Sequence, residues 1–239
     1  MAEPIELNQL ARALNLGPRE HIALVGGGGK TTIMHALGHQ LKGRVIVTTT
    51  TKMGSDQDEG FSILAASDVR SDIADVGTSI VWSRVDGNKA YGVSKEECDR
   101  WAEYFDYVVI EADGARQLPF KAPAAYEPVI PSTVTQVVSV IGADALGRVI
   151  ADQCHRPMRV AALAECEPYH RLSPGGAAAV LLHPRGARRA VPERARFAVA
   201  INKVDDTNRE SVDELVAELQ SRESALPIIS IRAHPTTHR

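Results

Sequence analysis

The chain predicts an α/β fold: a mostly parallel sheet with helices on both faces, a β-hairpin insertion and a helical insertion. Three observations carry that expectation. His21 to Val25 is a short apolar run that leads through four glycines into a helical pattern, Thr31 to Leu41. Tyr107 to Ile110 is apolar without alternation, as a strand buried on both faces of a parallel sheet must be. Phe197 to Ile201 repeats that pattern and feeds a second helical segment, Glu210 to Arg222. Strands separated by helices cannot pair as hairpins, so the connections cross over and the pairing is parallel.

The remaining elements follow in order. Leu7 to Leu14 reads as a short helix. Val45 to Val47 is a second strand, continued by β-branched threonines. Ile80 to Arg84 and Lys89 to Val93, joined by Val85-Asp86-Gly87-Asn88, read as a β-hairpin because Asp-Gly sits between alternating runs. Ser94 caps a helix containing Trp101, with Glu97 completing a capping box. Leu118 to Pro131 holds four prolines and reads as an ordered loop. Val134 to Ile141 is a buried strand, Gly142 to Gly186 is mostly helical, Ile228 to Ile231 is the last strand, and the tail from His234 is frayed. At 239 residues one substantial core is expected. We therefore expect a single domain over residues 1–239, with residues 15–53 as a phosphate-loop and second-strand unit and 142–190 as the helical insertion.

Composition excludes several classes of function. A formal net charge of −3 gives no bulk attraction to nucleic acid or to a membrane surface. No apolar stretch approaches membrane-spanning length, and Met1-Ala2-Glu3 lacks a basic, then apolar, leader. Cys98, Cys154 and Cys166 are an odd, dispersed set with neither a disulfide framework nor paired zinc spacing. A reducing, cytoplasmic location is the simplest expectation.

The chemistry concentrates at strand ends. Gly26, Gly27, Gly28 and Gly29 let backbone N–H groups crowd an anion, and the helix that follows adds its positive end. Lys30 is expected on the outer phosphates and Thr31 on Mg²⁺, with Thr32 beside them. The loop is short: the usual spacing wants a glycine at position 24, which is Leu24 here. A glycine-rich turn that merely caps a helix is the plainer alternative. At the end of the Tyr107 strand, Glu111 and Asp113 share a side; Asp113 is expected to hold Mg²⁺ through water and Glu111 to orient an attacking water. Lys30, Glu111 and Asp113 are thus the candidate catalytic set. A turn made by Asp113-Gly114 is the alternative. The hydroxyls after the second strand, Thr50 and Thr51 among them, could ring a γ-phosphate, with Thr48 to Lys52 as a candidate switch.

Asn202, Lys203 and Asp205 stand in the order Asn-Lys-x-Asp that many GTP-binding proteins use to read guanine. The aspartate accepts from N1–H and the exocyclic amine, which adenine cannot match. A polar turn capping the last helix is the alternative. Cys154-His155-Arg156 reads as a partly buried turn rather than a metal site, and His35 and His39 as helix-surface residues. Arg116 and Lys121 flank the acidic strand end, where a second anionic substrate or solvent would meet them.

Gly-Gly-Gly-Gly-Lys-Thr-Thr, Thr-Thr-Thr-Thr-Lys-Met and Glu-Ala-Asp-Gly-Ala-Arg stand together with Lys121-Ala122-Pro123, Glu127-Pro128-Val129-Ile130-Pro131 and Gly142-Ala143-Asp144-Ala145-Leu146-Gly147. With these segments the chain resembles the YqeC family, described as accessory proteins of selenium-dependent molybdenum hydroxylases. The resemblance spans about Ile22 to Asp205. It implies a P-loop nucleoside-triphosphatase fold and a part in maturing molybdenum-cofactor hydroxylases. Three functions stay open on these grounds. One is a Mg²⁺-dependent GTPase maturation factor that works on a molybdenum hydroxylase apoenzyme. Another is an ATP-dependent ligase or kinase, because Gly-x-x-Gly-Lys-Thr-Thr also resembles the loop of the Mur ligases. The third is a non-catalytic carrier of a molybdopterin cofactor.

Overall fold

Eight strands rich in Val, Ile and Ala join in one sheet in a computed structural model that describes residues 3–70 and 77–233. In chain order the elements are α1 (Leu10–Ala13), β1 (Glu20–Gly26), α2 (Lys30–Gln40), β2 (Arg44–Thr49), β3 (Lys52–Gly54), β4 (Ser62–Ala65), β5 (Gly77–Trp82), β6 (Arg84–Asp86) and β7 (Lys89–Tyr91). There follow α3 (Lys95–Trp101), β8 (Tyr107–Glu111), β9 (Phe120–Lys121), β10 (Gln136–Gly142), α4 (Ile150–Gln153), β11 (Cys154–His155), α5 (Pro157–Leu163), α6 (Pro174–Leu182), β12 (Arg196–Val204), α7 (Arg209–Arg222) and β13 (Ile228–Arg232). The sheet runs β13-β12-β10-β1-β8-β2-β5-β4, and every pairing in it is parallel.

The two faces of this sheet explain its unbroken apolar runs. Along β1, Ile22 and Leu24 join the cluster that includes Leu10 of α1 and Ile33, Met34 and Leu37 of α2. Ala23 and Val25 join the cluster on the opposite face, with Trp101 of α3, Val160 of α5, Val180 of α6 and Leu215 of α7. Strands covered on both sides have no polar face to alternate with. This is the mostly parallel α/β sheet with helices on both faces that the sequence predicts.

The chain leaves β1 toward β2, returns to insert β8 between them, and then crosses to β10 on the other side of β1. That reversal opens a crevice at the carboxyl ends of β1, β8 and β10, where open α/β sheets bind ligands.

The hairpin differs from its expected bounds. Ile80 to Trp82 belong to β5, a buried member of the main sheet paired with β2 and β4. The turn at Gly87-Asn88 joins β6 to β7 instead, and β3 completes a three-stranded antiparallel sheet. An apolar run of this length fits either arrangement locally, and β2 decides it by offering a parallel edge. The capping box forms as expected: the Ser94 hydroxyl accepts from Glu97 N at 3.2 Å, and the Glu97 carboxylate accepts from Ser94 N at 2.9 Å. Residues 142–186 hold α4, α5 and α6 with the two-residue strand β11 between them. The expected fraying from His234 lies outside the described residues. Among the described residues no helix is long and apolar enough to cross a membrane.

Candidate functional site

A cleft of about 480 Å³ opens at the end of β1, lined by Gly28, Gly29, Lys30, Thr31 and Thr32 together with Glu111, Lys203 and two loops. The glycine loop is clamped from beneath. Gly27 N donates to Val140 O at 2.9 Å and Gly28 N to Leu118 O at 3.2 Å. Gly28 has φ of +80°, and a Cβ there would stand 2.1 Å from Gly142 N. Gly29, at φ of +117°, is the N-cap of α2 and uses no side chain to satisfy the first turn. The opening amides of a helix have no partner within it, so this end of α2 presents free donors and a positive partial charge to the cleft.

Lys30 lies folded back over the loop. Its Nζ donates to Gly26 O at 2.7 Å and sits 3.2 Å from Asp113 and 3.6 Å from Glu111. Burial alone would pull its pKa down, but the Asp113 and Glu111 carboxylates outweigh it and the net shift is upward. The two acids then part company. Glu111 lines the cleft, and its Oε2 accepts from the Thr31 hydroxyl at 2.7 Å. Asp113 is 1% exposed and lies under the loop. It accepts from Gly26 N at 3.1 Å and binds Lys121 at 3.0 Å as well as Lys30.

Lys121 is therefore not a surface residue: it is 3% exposed and bridges Asp113 to Glu127 at 2.9 Å. Glu127 in turn holds Arg156 at 2.9 Å. Burial pushes the Glu127 carboxyl up, yet Lys121 and Arg156 overrule it and bring it down to about 2. The two strand-end acids thus meet cations from the chain itself, Lys30 and Lys121, through an ion-pair row that ends at Arg156.

The other expected residues divide. Asn202 Nδ2 donates to Gly28 O at 2.8 Å, and Lys203 lines the cleft while pairing with Asp144 at 2.8 Å. A register break in β12 between Ile201 and Val204, with Lys203 at φ of +63°, turns these two residues to different sides. Asp205 is exposed, and one of its oxygens accepts from Thr207 N, Thr207 Oγ1 and Asn208 N. Thr50 and Thr51 are not brought to the cleft. The Thr50 hydroxyl donates to Val129 O at 2.9 Å, and that of Thr51 faces Thr49 Oγ1 at 3.1 Å. Thr48 and Thr49 likewise spend their hydroxyls on Val81 O and Glu111 O.

His35 is buried rather than on the helix surface, because Phe61 and Glu59 cover it. His39 is exposed beside Phe61. Cys154 and His155 are buried in β11, paired with β9, and burial pushes the Cys154 thiol up to about 12, so it carries no thiolate. Three polar cleft residues escape a motif search altogether: Gln57, Lys89 and Gln117. Lys52 and Arg116, noted at the ends of two motifs, are brought to the same cleft.

Comparison with known proteins establishes the family. The family model described as YqeC protein matches residues 22–158, more than half of the chain. The protein described as uncharacterized protein YqeC of Escherichia coli (strain K12) is 29% identical over 244 residues, covering 96% of this chain and 95% of that one. Among solved structures, the hydrogenase maturation factor HypB of Archaeoglobus fulgidus covers 95% of this chain and 86% of its own at 11% identity, with a TM-score of 0.40. That last likeness is too slight to bear on function. The chain belongs to the YqeC family.

Proposed function

We propose that this YqeC-family protein binds a Mg²⁺–nucleoside triphosphate, GTP in preference, and hydrolyses it slowly as an accessory factor in the maturation of molybdenum-cofactor hydroxylases. The observation that supports nucleotide binding most is the convergence of Lys30, Thr31 and Glu111 at the end of a clamped glycine loop, inside a cleft at the switch point of the sheet. Thr31 Oγ1 and the Glu111 carboxylate are hard oxygen donors 2.7 Å apart, a set that suits Mg²⁺. When bound, Mg²⁺ would neutralise charge on the phosphate oxygens.

The residues then take distinct parts. The amides from Gly29 to Thr32 cradle the phosphates, and Lys30 turns from Gly26 O toward them. Thr31 and Glu111 would hold the cation, while Glu111 is also placed to orient a water for attack. Asp113, buried beneath the loop, keeps Lys30 and the Gly26 amide in register and needs no metal contact. This moves the metal-holding part that the sequence suggests for Asp113 to Glu111, which keeps its part on water. Preference for guanine rests on Asn202 tying the loop from behind, on Lys203 in the cleft wall, and on the second carboxylate oxygen of Asp205, which the turn leaves unused. The maturation role rests on the family's description alone.

A second reading, transfer of a phosphoryl group to an acceptor by a kinase or ligase, is favoured by Lys52, Lys89 and Arg116, which line the same cleft as the loop. The test follows phosphate release from GTP and from ATP with and without a molybdenum hydroxylase apoenzyme. Faster release from GTP with the apoenzyme, and its loss in Glu111→Gln, supports the GTPase reading. A flat rate in every mixture, with cofactor still bound, favours a passive carrier instead.

A further inference from the structure

The cleft carries more positive charge than its nucleotide end explains. The sheet β3-β7-β6 lends Lys52, Gly54 and Lys89 to the cleft wall and has two chemically distinct faces. Met53 and Ala90 point into the core and are buried. The residues one step away in each strand point outward, as the period of two requires. Lys52 pairs with Tyr91 across one row and Gly54 with Lys89 across another, so Lys52 and Lys89 share the outer face. The Lys52 ammonium rests 4.4 Å from the centre of the Tyr91 ring, which fixes its position. The carboxylate opposite Lys89, Asp86, pairs with Arg84 at 3.7 Å instead. Arg116 and its neighbour Gln117, in the loop after β8, also line the cleft, and both have left-handed backbones, at φ of +52° and +62°. Left-handed backbone at two successive non-glycine residues is uncommon and collects at ligand clamps.

Among the described residues Lys52, Lys89 and Arg116 form no ion pair with any carboxylate, although all three line one cleft. Three unneutralised cations around a concave space repel each other, and an anion that fills the space relieves the repulsion. Lys30 and Glu111 offset each other at the loop, which leaves the charge of these three unbalanced in the cleft.

We propose that this wall is a second anion subsite, seating the dianionic phosphate of a small phosphomonoester next to the nucleotide's terminal phosphate. The proposal rests on the nucleotide reading above for the neighbour, but not for the subsite itself. Arg116 supplies the planar fork that suits a phosphate, Lys52 and Lys89 supply point charges, and the side-chain amide of Gln57 at the rim adds a donor. Such a ligand would be the acceptor, or the allosteric trigger, of the chemistry at the loop.

Inorganic phosphate is the probe, titrated by calorimetry into the full-length protein with and without a non-hydrolysable Mg²⁺–GTP analogue. Wild-type protein is expected to bind phosphate in both cases, and the Lys52→Ala/Lys89→Ala variant about tenfold or more weakly, the loss of two charge-assisted contacts. The same double variant, and Arg116→Ala alone, should keep analogue affinity within a few-fold of wild type. Lys30→Ala should lose the analogue and keep phosphate. If wild type binds no analogue but phosphate still depends on Lys52 and Lys89, the nucleotide reading fails and the subsite stands. If phosphate binding is unchanged in the double variant, or the analogue abolishes it, the subsite is wrong. Malonate binding more tightly than phosphate would overturn the assignment to phosphomonoesters.

Discussion

Replacing Asp113 with asparagine separates a structural from a metal-binding role for this acid. Asp113 is 1% exposed, and its two partners Lys30 and Lys121 are 4% and 3% exposed. Asparagine matches its shape and can still accept from Gly26 N. Its amide hydrogens, however, must face an ammonium group that is itself only a donor. One buried negative charge is lost between two buried positive ones, at 3.2 and 3.0 Å. Breaking a buried pair costs about 3–5 kcal/mol where the surviving charge is left without compensation. Here Glu111 still faces Lys30 and Glu127 still holds Lys121, which sets the cost at the low end of that range. Taking about 3 kcal/mol, a chain of this size should melt roughly 6–12 °C lower. Glu111→Gln is the control. It keeps an acceptor for the Thr31 hydroxyl and loses only the 3.6 Å contact to Lys30, which retains Asp113 and Gly26 O, so a smaller loss than in Asp113→Asn is expected. Urea unfolding at fixed m and a thermal melt read both variants, and the Mg²⁺ dependence of turnover is measured on the folded fraction. The reasoning is refuted if Asp113→Asn unfolds with wild-type stability and loses Mg²⁺-supported turnover while Glu111→Gln retains it. Asp113 would then be the metal acid that its position in the sequence suggests.

Other outcomes follow from single sites. Gly28→Ala puts a Cβ 2.1 Å from Gly142 N at φ of +80°, so it should cost about 2–4 kcal/mol of stability and abolish triphosphate binding, read by melting and by nucleotide titration. Burial lowers the His21 imidazole to about 4 against the raising effect of Asp99. Its folded pKa lies below the ordinary 6.5, so the unfolded chain takes up the proton first and stability falls as pH drops from about 6.5 to about 4, by about 3 kcal/mol in all. Urea titrations across that window should show the slope, and His21→Gln should flatten it. Asp205→Asn keeps the turn to Thr207 and Asn208 yet should move preference from guanine toward xanthine by on the order of 1–3 kcal/mol, measured by competition binding.

Much of this was readable because it is local. The run from His21 to Val25, four glycines and Lys30 dictate strand, tight turn and helix without help from the rest of the chain. The Ser94–Glu97 box and the buried strand ending at Glu111 are equally self-contained. The errors arise where a distant segment decides. Thr48 to Thr51 look like free hydroxyls until Val81, Glu111 and Val129 supply carbonyls for three of them. The sequence leaves Lys121 open between an anionic substrate and solvent because its partners, Asp113 and Glu127, reach it through a proline-rich loop whose path no periodicity encodes. His35 becomes buried only when Phe61 folds over it. The cationic wall combines residues from 52 to 116 that share no motif, and only the pairing of β3 with β7 reveals it.

The central claim is that the clamped glycine loop is a nucleotide site, and equilibrium binding tests it most directly. Labelled GTP, ATP and CTP are titrated into wild type, Lys30→Ala and Thr31→Ala, each shown to be folded by circular dichroism, with Mg²⁺ and with chelator. The account predicts GTP binding tightest to wild type, loss of all triphosphate binding in Lys30→Ala, and in Thr31→Ala a weakening that appears only with Mg²⁺. Equal triphosphate affinity in wild type and a folded Lys30→Ala protein would contradict it.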